Sequence, residues 1–212
     1  DVAFPLKELP EATADLQELL VTNEYHDACI YGHALEGNFH FIISQSFDSP
    51  EQVARYEKLM DEVKTLVVDK YDGSLKAEHG TGRNMAPFVK YEWGERAYGF
   101  MKAVKELFDP KGLLNPGVIF NEDPHCHLKH FKPMPLTNAH VDKCIECGFC
   151  EVNCLTCGFS LSSRQRIVIQ REISRLKKLS DTESSERLKT LQKQYKYLGN
   201  ATCAGDGLCS MS

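Results

Sequence analysis

The spacing of apolar positions changes several times along this 212-residue chain, and each change marks an element. Residues 12–22 read as a helix entered through a proline-bounded segment. Residues 28–32 and 39–47 are rich in β-formers and read as two strands joined by a turn at Leu35, Glu36, Gly37 and Asn38. Ser49, Pro50 and Gln52 form a helix start, with serine as N-cap, proline at the first helical position and glutamine three residues on. Val53, Tyr56, Met60, Val63, Val67 and Tyr71 then recur at helical spacing until Gly73 ends the run. A short strand over 75–78, the loop Gly80-Thr81-Gly82 and a helix over 91–108, stopped by Asp109-Pro110, follow. Strands and helices in this order predict an α+β fold, an antiparallel sheet with helices on one face.

The pattern changes again after residue 120. Residues 121–140 hold most of a proline- and histidine-rich stretch and read as a linker, with His125, His127 and His130 expected to face solvent. Two helical segments at 163–179 and 181–198 follow, and Ile167, Ile169, Ile173, Leu176, Leu188, Leu191, Tyr195 and Leu198 would form their buried stripe. The expected organisation is therefore a first domain over 1–120, a linker over 121–140 and a small α-helical domain over 141–212.

Composition sets the class. Hydrophobic residues at 42% and charged residues at 26% are ordinary for a globular protein. No apolar run approaches the ~18 residues of a membrane span, and no secretory signal opens the chain, which begins with Asp1 rather than Met. A cytoplasmic location is expected, with peripheral membrane association left open. The net charge of −5 conceals an asymmetry: residues 160–200 carry ten Lys/Arg against four Asp/Glu, a local +6, which leaves −11 elsewhere. Interleaved exposed aromatics are scarce there, so a solvated helical pair is favoured over a nucleic-acid surface, and no nucleic-acid partner is expected.

Nine cysteines without a signal peptide point to metal binding rather than to a disulfide scaffold. Cys144-x2-Cys147-x2-Cys150-x3-Cys154 has the spacing of a bacterial ferredoxin run. Cysteines three apart on a tight loop present three thiolates to one iron–sulfur cubane, and the fourth turns toward another cluster. A structural zinc site needs only four ligands and would leave this run over-supplied. Leu155 stands where a proline usually follows, and Cys157 competes with Cys154 as ligand, so either remains open. Cys203 and Cys209 look like the opening of a second cluster motif. The chain ends at Ser212 before a third cysteine, so the module is expected to be truncated at its C-terminus, with 4Fe-4S clusters that are incomplete here. Cys29 and Cys126 are expected to be free thiols.

A second constellation lies in the first domain. If the two strands pair about the Glu36-Gly37 turn, His33 and His40 fall directly opposite each other, ~5 Å apart at Cβ, as two ligands of one metal would. Glu78 would add an oxygen ligand at the end of its strand, with His79 free beside it as a base and glycines that let backbone approach a cofactor. Two histidines and one glutamate leave an open coordination position, the arrangement of a catalytic divalent metal, with zinc favoured over iron or manganese.

The run Gly32-His33-Ala34-Leu35-Glu36-Gly37-Asn38-Phe39-His40 resembles the Gly-His-x-x-Asp-Gly-Asn-x-His motif of FAD-linked 2-hydroxy-acid dehydrogenases, the flavin-dependent D-lactate and D-2-hydroxyglutarate dehydrogenases among them. Ala77-Glu78-His79-Gly80-Thr81-Gly82 is similar to that family's second motif, and residues 108–117, Phe-Asp-Pro-Lys-Gly-Leu-Leu-Asn-Pro-Gly, to its ending. The resemblance covers about residues 12–120, and the cysteine module looks like the extension carried by some members. Glu36 replaces the usual aspartate.

The resemblance implies that His33, His40 and Glu78 bind the metal that anchors a 2-hydroxy acid. It further implies that His79 removes the hydroxyl proton while a hydride passes to FAD, and that Asn115 touches the flavin. Cys144, Cys147, Cys150, Cys154, Cys203 and Cys209 would hold clusters that pass electrons to an acceptor protein or quinone. In that family the flavin-binding domain lies N-terminal and is larger than this chain, so FAD is expected to be bound mostly by a part absent here. Two other classes remain: an electron-transfer subunit with a docking domain, which leaves the His/Glu set unexplained, and a zinc hydrolase using His33, His40 and Glu78, which leaves the cysteine run without purpose.

Overall fold

The computed structural model describes residues 1–211, arranged as two compact units that divide between Phe131 and Lys132. The first unit contains a three-stranded antiparallel sheet, β1 (Val2–Ala3), β2 (Cys29–His33) and β3 (Asn38–Ile42), in the order β1-β3-β2. Helices α1 (Leu9–Thr22), α2 (Pro50–Lys64) and α3 (Ala86–Phe108) complete it. The α+β architecture read from the sequence is the one observed.

Alternation along the strands separates two faces. Val2, Ile30, Phe39 and Phe41 join Leu16 and Leu20 of α1 and Tyr56, Leu59 and Val63 of α2 in one hydrophobic core. The other face carries Tyr31, His33, Asn38 and His40. Helix α2 begins as its sequence predicts: the Ser49 hydroxyl accepts the Gln52 N–H at 3.4 Å, and Pro50 occupies the first turn. A π-helical turn over Thr65–Lys70 prolongs it and buries Val67.

Several expectations need correction. The strand expected over 39–47 ends at Ile42, because its partner begins at Cys29, which pairs with Ile42, and supplies no further ladder. The strand expected over 75–78 does not form. Ala3 and Ser74 exchange two 2.9 Å backbone bonds, after which side chains satisfy the amides: Leu75 N–H donates to Glu92, and Lys76 N–H to the Ser74 hydroxyl. Helix α3 starts at Ala86 rather than 91, and Gly94, with φ 71° and ψ 169°, breaks it into two helical segments. The expected linker is partly structured: Leu128 and Phe131 pack on the core, Phe131 stacks on Phe47 at 3.9 Å, and His127 is buried against Phe88 rather than exposed.

The second unit is helical, with α4 (Ser163–Leu176) and α5 (Thr182–Tyr195). A capping box closes the start of α4: the Ser162 hydroxyl accepts Gln165 N–H while the Gln165 side chain accepts Ser162 N–H. Arg166 and Arg171, counted in the sequence among solvated basic residues, are buried.

The hairpin turn depends on Gly37. Its φ of +67° favours glycine, and an added Cβ would collide with the Phe4 carbonyl oxygen, whose own amide donates to Gly37 O at 2.9 Å. Gly37→Ala is expected to destabilise the first unit by about 1–3 kcal/mol, measured by urea unfolding.

Candidate functional site

The polar face of the sheet is where the sequence-predicted metal ligands meet, although by a different register from the one expected. His33 pairs with Asn38 and His40 with Tyr31, so the two histidines are diagonal rather than directly opposite. The turn is a single 3-10 turn, Ala34–Glu36, closed by Gly37 in the left-handed region, which moves the pairing by two residues. A shift of two keeps every side chain on its own face, so the histidines still converge.

Glu78 completes the group from the loop after Ser74. Its Oε1 lies 2.8 Å from His40 Nε2 and 3.3 Å from His33 Nε2. One donor atom from each of His33, His40 and Glu78 falls within 4.8 Å of the others. Partial burial would raise the Glu78 carboxyl, but hydrogen bonds from Asn38 and His40 and the adjacent imidazoles outweigh it, so the group is held below the usual carboxylate range. His40 is nearly enclosed, its side chain 10% exposed, and Tyr31 stacks on it at 5.2 Å. His33 and His79 stand open, at 62% and 67%.

His79 lies beside the group, its ring 4.6 Å from that of His40 and its Nε2 3.8 Å from Glu78 Oε1. The buried Asn38 amide uses its nitrogen on Glu78 and leaves Oδ1 without a protein partner. Two imidazole nitrogens, one carboxylate oxygen and an orphaned amide oxygen nearby form a donor set that fits a divalent cation. Sequence reasoning missed Asp1, Tyr31 and Asn38. Asn38 was legible as part of the hairpin motif, but its role needed the register.

Asn115 sits on an exposed turn, at φ 44°. Asp109 holds that turn, accepting Leu113 and Leu114 N–H at 2.9 Å each, and the Lys105 ammonium beside it pulls the Asp109 carboxyl down to about 2. Arg83, just after the glycine loop, donates to Pro116 O at 2.9 Å. Among the described residues no hydrogen bond joins Asn115 to the His/Glu group.

In the second unit the two cysteine runs approach each other. Cys154, Cys203 and Cys209 line a 230 Å³ cavity together with Val141, Arg166 and Ile167. Burial, and then the neighbouring Cys150, Cys154 and Cys203, push the Cys209 thiol up. A hydrogen bond with the Thr156 hydroxyl is the main influence lowering the Cys154 thiol, and Ser163 donates to Cys150 Sγ at 3.0 Å. Cys144, Cys147, Cys150 and Cys157 do not line the cavity. Sulfur donors gathered in this way fit an iron–sulfur group better than isolated thiols would.

Two buried arginines organise these loops. Arg171 pairs with Glu146 at 2.7 Å and donates to Cys144 O at 2.7 Å, fixing the loop where Glu146 takes φ 61°. Arg166 donates to Leu161 O, to Gly199 O at 2.7 Å and to Thr202 Oγ1 at 3.1 Å, joining the end of the first cysteine run to the start of the second.

Residues 1–119 match the family model described as FAD linked oxidases, C-terminal domain. The chain is 33% identical over 124 residues to D-2-hydroxyglutarate dehydrogenase of Stutzerimonas stutzeri, covering 57% of this chain and 26% of that protein. It is 30% identical over 125 residues to mitochondrial D-lactate dehydrogenase [cytochrome] 1 of Saccharomyces cerevisiae, covering 59% and 21%. It is 27% identical over 123 residues to glycolate oxidase subunit GlcD of Bacillus subtilis, covering 58% and 26%. The chain thus spans about a quarter of the length of these curated relatives.

Replacing Arg171 by leucine strands Glu146 in a buried position beside Lys132 alone. Arg171→Leu is expected to destabilise the second unit by about 3 kcal/mol, read as a lowered unfolding midpoint of that unit, with the first unit unchanged.

Proposed function

Because the chain belongs, over residues 1–119, to the family of FAD-linked oxidase C-terminal domains, we propose that it forms the substrate-side part of a flavin-dependent dehydrogenase oxidising a small 2-hydroxy acid to the 2-oxo acid. The observation that carries this reading is the convergence of His33, His40 and Glu78 beside the open ring of His79.

His33 Nε2, His40 Nε2 and a Glu78 carboxylate oxygen would hold a divalent cation, zinc or manganese, and leave positions open for a carboxylate and a hydroxyl. When bound, the cation would supply a Lewis acid to that hydroxyl, FAD an acceptor for two electrons, and 4Fe-4S clusters single-electron carriers. The chain's own residues do the rest. Tyr31 fixes the His40 ring by stacking, and Asn38 fixes the Glu78 carboxylate. His79 takes the hydroxyl proton at a ring nitrogen as general base, a contribution of about 10²–10⁴-fold, and its exposed ring can return that proton to water. Enclosure of His40 against exposure of His33 and His79 leaves one side of the group accessible to substrate.

Two features support a flavin partner. An added Cβ at Gly82 would meet nothing within 4 Å and Gly82 has φ −95°, so nothing in this chain's own packing demands glycine there. Close approach of a cofactor would. The second segment of α3 and the turn after it expose Phe100, Leu107, Phe108, Leu113 and Leu114, and we assign that apolar face to the flavin-binding domain that the resemblance places N-terminal. Asn115, on the same turn, is assigned a flavin contact.

Cys144, Cys147 and Cys150 would serve one cluster, and Cys154, Cys203 and Cys209 a second, with the cavity location favouring Cys154 over Cys157. The electrons would pass to an acceptor protein or quinone. Among the described residues no helix is long and apolar enough to cross a membrane, and peripheral membrane association remains part of the proposal only through that acceptor. The burial of Arg166 and Arg171 reduces the basic surface of α4 and argues further against a nucleic-acid partner.

Manganese tests the reading, because it favours oxygen and nitrogen donors over the chain's thiols. Equilibrium dialysis is expected to find about one Mn²⁺ per chain, with affinity lowered about 10-fold or more in His40→Ala. No binding by the unaltered chain would overturn the metal assignment. The 212-residue chain is also expected to retain no FAD through gel filtration. Stoichiometric flavin in the eluted protein would refute the assignment of the flavin site to another domain.

A further inference from the structure

The loop from Leu75 to Gly82 carries both a metal ligand and the base, yet beyond Ser74 no strand ladder holds it. Its position is set by Asp1, the residue before β1, the strand whose Ala3 pairs with Ser74. The Glu78 and His79 amides both donate to Asp1 Oδ2, at 2.8 and 3.0 Å. The Asp1 side chain is 6% exposed, and among the described residues the side chain within ion-pair range of it is His79, whose Nδ1 lies 3.8 Å from the same oxygen. A carboxylate withdrawn from water in this way is costly unless its charge is answered, and here two consecutive backbone N–H groups answer it.

The register of the sheet gives Asp1 a second connection. Val2 pairs with Phe39 and Ala3 with Asn38, so the next position along β1 falls level with His40. Donor atoms of Asp1, His40 and His79 also lie within 4.8 Å of one another. One side chain therefore spans from the strand that carries His40 to the peptide that carries Glu78 and His79.

We propose that Asp1 is a positioning residue for this site. It pins the Glu78–His79 peptide so that the Glu78 carboxylate reaches both imidazoles. It also faces the Nδ1 side of the His79 ring, leaving Nε2 on the Glu78 side, where a substrate hydroxyl would bind. Carboxylates set behind a histidine orient it in this manner in other catalytic arrangements. What Asp1 supplies is an acceptor in a fixed place: two amide protons converge on one oxygen, which defines the orientation of the peptide plane between them. The inference rests on the metal-site reading above for its consequence, though not for its geometry.

The test compares Asp1→Ala with Asp1→Asn in the whole chain, using Mn²⁺ alone as probe and electron paramagnetic resonance to count free ion. Loss of an outer partner of a metal ligand typically weakens binding about 10–100-fold, and that range is expected for Asp1→Ala. Asp1→Asn keeps a carbonyl oxygen in the same place and is expected to stay within about 3-fold of the unaltered chain, since hydrogen-bond acceptance rather than charge is the requirement. Amide hydrogen exchange supplies a readout that needs no metal. The Glu78 and His79 amides should exchange faster in Asp1→Ala and be protected again in Asp1→Asn, with the thermal midpoint nearly the same in all three.

Unchanged exchange at Glu78 and His79 in Asp1→Ala would overturn the proposal, as would an Asp1→Asn variant as weak in Mn²⁺ binding as Asp1→Ala. If the unaltered chain binds no Mn²⁺, the metal reading fails by itself, and the exchange comparison still decides whether Asp1 holds the loop.

Discussion

The pleat of β3 is the constraint on which the first unit depends. That strand must pack Phe39 and Phe41, both partly buried, on the hydrophobic core while presenting Asn38 and His40 to a polar group, and only strict alternation satisfies both demands. The hydrophobic side makes the polar side dependable. A one-residue slip would send His40 into the core and Phe41 to solvent, so the burial that stabilises the fold also fixes the direction of the histidine. The same logic extends to the neighbouring strands: Val2 and Ile30 belong to the core face, while Tyr31 and His33 belong to the site. Glu78 lies outside this scheme, on an irregular loop, and requires other means to be held.

The second unit solves a comparable problem with charge rather than with a sheet. Its cysteine loops have little regular structure of their own, and guanidinium groups from α4 donate to several of the backbone carbonyls there. Arg171 gathers Glu146 and the Cys144 carbonyl, and Arg166 gathers Leu161, Gly199 and Thr202. A planar guanidinium offers five donors in a fixed fork, which suits convergent carbonyls in a way that a lysine ammonium does not. Two arginines about 1.4 turns apart on the same helix thus brace the two cysteine runs.

How much of this was legible beforehand follows from where each interaction lies in the chain. Helix α2 was readable because its cap, its proline and its apolar period are all local. The His33/His40 pair was readable as a pair because both lie on one short hairpin. Its register was not, because the difference between a turn at Glu36-Gly37 and a 3-10 turn closed by Gly37 rests on the approach of Phe4, some thirty residues earlier. The strand expected over 75–78 failed for a similar reason. Its alternation was compatible with pairing, but Asp1 and Glu92 take its amide protons. Basic residues between 160 and 200 looked like one solvated set because side-chain burial leaves no mark on composition; Arg166 and Arg171 are set apart by distant partners, Gly199 O for the first and Glu146 and Cys144 O for the second. The family was legible because three motifs, each local, occur in order, and the matching family model covers the same stretch.

The chemistry of the donor atoms explains how one chain could hold two kinds of metal without mixing them. The first unit offers imidazole and carboxylate at its site, and its two cysteines are elsewhere: Cys29 is exposed on β2, and Cys126 donates its thiol to Arg83 O at 3.3 Å. The second unit offers seven thiols, of which Cys154, Cys203 and Cys209 line one cavity. Harder divalent ions prefer the first set, and iron in sulfide clusters the second. Were both groups bound as proposed, their partition would be thermodynamic as well as spatial. It also bears on the rival readings. A hydrolase would need only the first set, and an electron-transfer subunit only the second. The flavin-dependent dehydrogenase with clusters proposed above would use both, the first set for a substrate's proton and the second for electrons taken one at a time.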